Sequence, residues 1–326
     1  MRNSSLDLIR CIAIILVICI HSMGMLKTAI NPLEINTNHI IYAFLSSITE
    51  MGVPLFVMLS GALLLKKEEN PRSFLKKRLK RIMIPFFIWS IIIFSLDKFV
   101  THQSLSIMDF IQKFLTHGIH GTYWYIYMLL GLYLLTPILQ KVFNKISTSL
   151  LVYIFLLTII CAICSTFHNS HQNSDFLLLN YIFPYMHFLA YFICGHIIYS
   201  HFISFEKLNR ISFIGFIICF IISFINTLYT FGKFPFTFFE SLFFFSFLIS
   251  RHKAKQNTNP FVEFISLSSY GIYLSHILFI SLIYKTELLN HIPIFTTPFV
   301  LVISIIIFES ILFFIIQKMN LTKILS

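Results

Sequence analysis

Arg10 and His21 stand eleven residues apart in a stretch, Leu6 to Ser22, that is otherwise almost wholly apolar. At 3.6 residues per turn, eleven steps close to within about 20° of three full turns, so both side chains share one face of a helix, roughly 16 Å apart along its axis. Ionisable groups at membrane depth are costly and face a bundle interior or a water-filled cavity, where they carry out chemistry or transport. The plainer alternative is that Arg10 snorkels to the headgroups and His21 hydrogen-bonds a neighbouring helix. A second basic group lies in the run 66–81. Pro71 after Asn70 marks a helix start, which puts Lys77, Arg78 and Arg81 on one face. Two readings fit this run. It sets topology and binds anionic lipid headgroups, or Arg78 and Arg81, joined by Arg10, grip the phosphates of a nucleotide-containing donor with paired N–H donors.

The elements that must position these groups are membrane helices. The chain is 57% hydrophobic and 11% charged, with 39 phenylalanines among 326 residues, and its mean hydropathy is +0.84. Apolar runs of about 20 residues recur throughout, which reads as an all-α, polytopic membrane protein forming a single domain over residues 1–326. Ten spans are expected, at 7–26, 40–65, 82–100, 123–140, 149–167, 181–200, 211–231, 234–250, 262–284 and 294–316, with the break at 231–235 the weakest boundary. The longest polar gaps, 66–81 and 101–122, read as loops. With the N-terminus in the cytoplasm, all of the 24 Lys and Arg except Lys27, Lys98, Lys113, Lys233 and Lys285 fall inside. That bias supports ten spans with both termini cytoplasmic. In a membrane chain the net charge of +11 reports topology, and no nucleic-acid partner is expected. All six cysteines sit in apolar segments and read as packing residues; Cys161 and Cys164 have CxxC spacing but no second pair, and no metal site is expected.

Several stretches in order resemble the acyltransferase-3 family of integral-membrane acyltransferases. Arg10-x10-His21 matches its first-helix pattern, with Leu6-Asp7 as lead-in, and Arg78-x2-Arg81 matches its Arg-x-x-Arg motif. Val53–Leu64, Trp124–Tyr127 with Leu132–Pro137, and Ser269–His276 are similar to further family segments. The chain departs from the pattern at Cys11, where the family often has Gly, and at Thr122, where relatives often have His; here the histidine is His120. Within the family, length and the lack of a fused domain make it most similar to stand-alone surface-polysaccharide O-acetyltransferases of the enterobacterial common antigen type.

The resemblance implies transfer of an acyl group, usually acetyl, from cytoplasmic acetyl-CoA to a hydroxyl of a surface or lipid-linked glycan, in a bacterial inner membrane. Acyl-CoA is then a donor substrate, and no permanently bound cofactor is expected. Arg10, Arg78 and Arg81 would hold the CoA phosphates. His21 would be the general base or an acyl relay, since imidazole titrates near about 6.5. Glu50, entering the second span from outside, would orient it or remain an interfacial carboxylate. Asp7, one turn from Arg10, reads as its ion-pair partner. Ser60-Gly61 reads as a close helix packing point rather than a channel wall, and Tyr123-Trp124-Tyr125-Tyr127 as an aromatic belt. His187, His196, Glu240, Glu309 and His276 lie deep in spans and carry no assigned role. A glycan transporter or flippase without covalent chemistry is the competing function, and a scaffold in a polysaccharide synthesis complex a third.

Overall fold

The computed structural model describes residues 4–30, 34–101, 106–116, 118–170, 183–202, 208–230, 236–251, 259–284, 286, 289, 291–319 and 321. Among them there is no strand. The helices are α1 (Ser4–Ser22), α2 (Gly24–Thr28), α3 (Thr37–Thr49), α4 (Gly52–Leu64), α5 (Pro71–Thr101) and α6 (Ile107–Thr116). After a 3-10 turn at Gly121–Tyr123 come α7 (Trp124–Asn144), α8 (Thr148–Ser170) and α9 (Phe183–Ile197), which runs into a π turn at Ile198–Phe202. The last four are α10 (Leu208–Thr230), α11 (Phe236–Arg251), α12 (Pro260–Tyr284) and α13 (Thr297–Lys318).

Among the described residues, seven stretches are long and apolar enough to cross a membrane: Ser4–Thr28, Thr37–Leu64, Pro71–Asp97, Gly121–Asn144, Leu208–Tyr229, Pro260–Tyr284 and Ile294–Lys318. The apolar helices Ser149–Ile160, Phe188–His201 and Thr237–Ser250 are shorter. The expected break at 231–235 lies outside the described residues, as do the side chains of Cys161, Cys164 and His187.

The run 40–65 falls in the single candidate span Thr37–Leu64, and within it the helix is interrupted: α3 ends at Thr49 and α4 begins at Gly52. Pro54 supplies the reason, because it has no N–H for the carbonyl of Glu50 and its ring clashes there, so the chain turns and restarts with Leu55 N–H donating to Met51 O at 2.9 Å. The gaps 66–81 and 101–122, expected as loops, need correcting: α5 already begins at Pro71, and α6 occupies Ile107–Thr116. Ser106 and Asp109 form a reciprocal cap, with the Ser106 N–H donating to Asp109 Oδ2 at 2.6 Å and the Asp109 N–H to Ser106 Oγ at 3.2 Å, and this starts α6. Hydrogen bonds from Ser106 hold the exposed Asp109 carboxyl below the usual carboxylate range. One side of α6 sets Phe110 and Phe114 on Phe87 of α5.

The helix start at Asn70-Pro71 stands: Asn70 Oδ1 accepts the N–H groups of Arg72 and Ser73 at 3.1 and 3.4 Å. α10 exposes Ile211, Ile214, Ile218, Ile221 and Ile225, a stripe at helical spacing suited to lipid. At the centre, α1 packs on α4, α12 and α13.

Candidate functional site

α1 and α12 run side by side and in parallel. Arg10 Nη1 donates to Ser266 Oγ at 2.9 Å, and the ring of His21 lies 5.3 Å from that of His276, centroid to centroid, at 40°. The two contacts are eleven residues apart on α1 and ten on α12, about 15–16 Å of helix on each. Arg10 and His21 therefore mark the two ends of one helix–helix seam, and α1 is unbroken between them.

A cavity of about 780 Å³ opens beside the Arg10 end of this seam. Its walls come from α1, α4, α5, α7 and α12, and four cations line it: Arg10, Lys66, Arg78 and Arg81. Against them stands Asp7, whose Oδ1 accepts from Arg10 Nη1 at 3.2 Å and from Ser266 Oγ at 2.7 Å. Arg78 lies 3.8 Å from Glu69 and rests on the Phe74 ring; its buried Nε has no hydrogen-bond partner among the described residues. Lys77, expected on the same face, does not line the cavity. The loop ahead of α5 is held by buried Gln140 of α7, which donates to Leu64 O at 2.7 Å and accepts the Glu69 N–H at 3.2 Å. Ser60 faces the cavity, whereas Gly61 meets the backbone of α9 at Phe192. The pair thus splits into wall and packing point. A recess of about 460 Å³, lined by Phe143, His196 and Ser200, meets the cavity at Lys66 and Tyr199.

Tyrosines share the lining with the cations. Tyr125 and Tyr133 of α7 and Tyr270 and Tyr273 of α12 line the cavity, and Tyr199 lies under Lys66. Tyr273 is the step between cavity and histidines, its ring 5.3 Å from Tyr125 and 5.9 Å from His276. Hydroxyl bonds fix this layer. Tyr270 donates to Ile82 O on α5 at 2.9 Å, Tyr123 donates to Leu274 O at 2.8 Å, and Tyr273 donates to Thr122 O. The last two latch α12 reciprocally to the 3-10 turn before α7. Of the expected aromatic belt, Trp124 is exposed, while Tyr123 and Tyr125 are buried inside.

That turn carries a third histidine. His120 Nδ1 accepts the Thr122 N–H at 3.2 Å, so the neutral ring carries its proton on Nε2. Burial holds the His120 imidazole below its ordinary value, with Asp97 opposing in part. Among the described residues, no three His, Cys, Asp or Glu are placed to hold a metal ion.

Glu50 sits at the α3–α4 corner, where it accepts from Thr237 Oγ1 of α11 at 3.5 Å and lies near Tyr191 and Glu240. Glu240 is fully buried and accepts from Ser223 at 3.2 Å. Glu309 of α13 is fully buried, with Ser275 Oγ 2.7 and 2.8 Å from its two oxygens. The imidazole set against His21 is that of His276, to which sequence reasoning assigned no role. A signal existed: Ser266, Ser269, Tyr270, Tyr273 and His276 recur at helical spacing along one face of an apolar span.

A family model described as an acyltransferase domain matches residues 3–316, which takes in every residue named at this site. Neither the curated proteins nor the solved structures contain a match to the chain.

Proposed function

Because the chain belongs to the acyltransferase-3 family, we propose that it is a membrane O-acyltransferase carrying an acetyl group from cytoplasmic acetyl-CoA to a hydroxyl of a surface or lipid-linked glycan. In this reading all ten apolar helices cross a bacterial inner membrane, both termini are cytoplasmic, and the Arg10 end of the seam faces the cytoplasm. The observation that carries it is the cavity: cationic at Arg10, Lys66, Arg78 and Arg81, and bounded by Tyr273 against the His21–His276 pair.

The arginines take the donor's phosphates through charge-assisted hydrogen bonds. The recess that shares Lys66 with the cavity, with Phe143, His196 and Tyr199 in its wall, gives the purine an aromatic surface. About 16 Å separates Arg10 from His21 along α1, a span suited to the pantetheine arm, whose thioester passes Tyr125 and Tyr273 to reach the imidazole. As a base, His21 takes the proton of the acceptor hydroxyl, the oxygen bonds to the acyl carbon, the C–S bond breaks, and the proton leaves with the thiolate as thiol. As a relay, the His21 nitrogen bonds to the acyl carbon as the C–S bond breaks and the thiolate leaves; the acceptor oxygen then bonds to that carbon as the C–N bond breaks, and the hydroxyl proton ends on the thiolate, leaving His21 as free imidazole.

The test is transfer from radiolabelled acetyl-CoA to surface glycan in membrane vesicles. Hydrogen bonds to charged groups contribute about 1.5–3 kcal/mol each, so Arg78→Ala/Arg81→Ala is expected to raise the donor KM about tenfold or more. An unchanged KM removes the phosphate clamp. Glycan that needs the protein to reach the surface, yet gains no label from the wild type, favours transport instead. Asp7→Ala gives a sharper result. Removing a negative charge from a cationic cavity favours an anionic donor on electrostatics alone, but Asp7 also pins Arg10 beside Ser266. The buried Asp7 charge is already met by Arg10 and Ser266, so the loss of positioning outweighs the charge removed and KM is expected to rise several-fold; a fall in KM shows that Arg10 needs no anchor.

A further inference from the structure

We propose that His276 is a positioning residue for His21. It accepts the N–H of one His21 nitrogen, so that the other nitrogen presents its lone pair to the reacting group. This rests on the His21 reading above and extends it to a second helix.

The tautomer of His276 follows from its bonds. Its Nδ1 lies 2.7 Å from the carbonyl oxygen of Tyr273. A carbonyl only accepts, so Nδ1 carries the hydrogen and Nε2 carries the lone pair. His276 has no exposure to solvent, and its Nε2 is buried with no hydrogen-bond partner among the described residues. Buried acceptors rarely stay unused. The ring in reach is that of His21, 5.3 Å away between centroids. An N–H···N bond of about 3 Å between imidazoles puts their centroids about 5 Å apart, so a small rotation of His21 closes the bond.

The other groups at this end do not compete for that place. His120 carries its proton on Nε2, because its Nδ1 accepts from Thr122, so its other nitrogen is a donor and cannot take the acceptor place of His276 Nε2. Tyr273, on the same helix as His276, has its hydroxyl committed to Thr122 O. Glu309 of α13 faces Ser275. Bonded to His276, His21 has one nitrogen fixed as a donor and one as base or nucleophile. When it takes the hydroxyl proton or the acyl group, the cation that forms keeps its N–H on His276 Nε2.

The experiment measures apparent kcat, donor KM and the acidic limb of the kcat profile in vesicles supplied with radiolabelled acetyl-CoA, for His276→Leu and His276→Gln. The glutamine amide oxygen can replace Nε2 as acceptor. His276→Leu is expected to lower kcat about 100-fold with donor KM unchanged, and His276→Gln to recover to within about tenfold of wild type. A neutral His21 is the active form. Losing the acceptor that stabilises its cation lowers its pKa, so the acidic limb moves to lower pH in His276→Leu and stays near wild type in His276→Gln, which keeps an acceptor. If His276→Leu does not fold, His276→Gln decides alone: a rate within about tenfold of wild type with an unshifted limb supports the acceptor role, and a loss of about 100-fold overturns it. Equal losses in Leu and Gln with an unmoved limb, or wild-type kcat in His276→Leu, overturn the proposal. His21→Ala separates the two ideas: if it is inactive while His276→Leu is normal, only the positioning role fails; if it is fully active, the His21 reading fails first.

Discussion

His21→Ala is expected to lower acyl transfer by about 10²–10⁴-fold, the range general acid–base catalysis supplies, while the donor KM changes little. The separation of roles follows from the seam between α1 and α12. In the proposed reading the phosphates are held at Arg10 and beyond, about 16 Å from the imidazole, so removing the ring leaves binding and strikes the chemical step. The ring also lies outside the lining of the cationic cavity, so truncating it does not open that wall. His291, an exposed histidine between α12 and α13, supplies the control: His291→Ala is expected to keep the wild-type rate at matched expression. Vesicles carrying labelled acetyl-CoA give both numbers. Wild-type transfer by His21→Ala would remove the base and the relay together.

The Arg10–His21 relation was legible because it needs only the pitch of one helix, and the start of α5 because Asn70-Pro71 is a local signal. Contacts between helices were harder. In water, an apolar stripe says which face of a helix points inward; in lipid both directions are apolar, so composition leaves rotation open. This is why Tyr123, Trp124 and Tyr125 read alike as a belt, although only Trp124 turns outward. Polar spacing keeps its meaning in such helices, and the Ser266–Tyr270–Tyr273–His276 stripe was the available clue to the face that meets α1. The corner at Glu50–Met51 was also available, four residues before Pro54. Its side-chain consequence, Glu50 against Thr237 of α11, was not, because it depends on two helices far apart in sequence.

The packing prediction with the largest effect falls on two glycines away from the chemistry. At Gly61 an added Cβ would run into the carbonyl oxygen of Phe192, and at Gly195 into that of Met58. Met58 precedes Gly61 by three residues, and Phe192 precedes Gly195 by three, so both clashes belong to a single crossing of α4 and α9. Without a hydrophobic drive between helices in lipid, such backbone approach supplies much of the attraction, through dispersion and Cα–H···O contacts. Backbone atoms cannot turn aside as a flexible side chain can. Gly61→Ala and Gly195→Ala are each expected to cost about 3 kcal/mol, seen as a fall in Tm of about 5 °C or more in detergent. Gly131→Ala inside α7, where nothing lies within 4 Å of the added carbon, should not lower Tm and should raise it slightly, since Ala favours the helix over Gly. One crossing also means that the first substitution already separates the helices for the second. The double variant should therefore cost clearly less than the sum of the singles; a strictly additive loss would mean that the two glycines serve independent contacts.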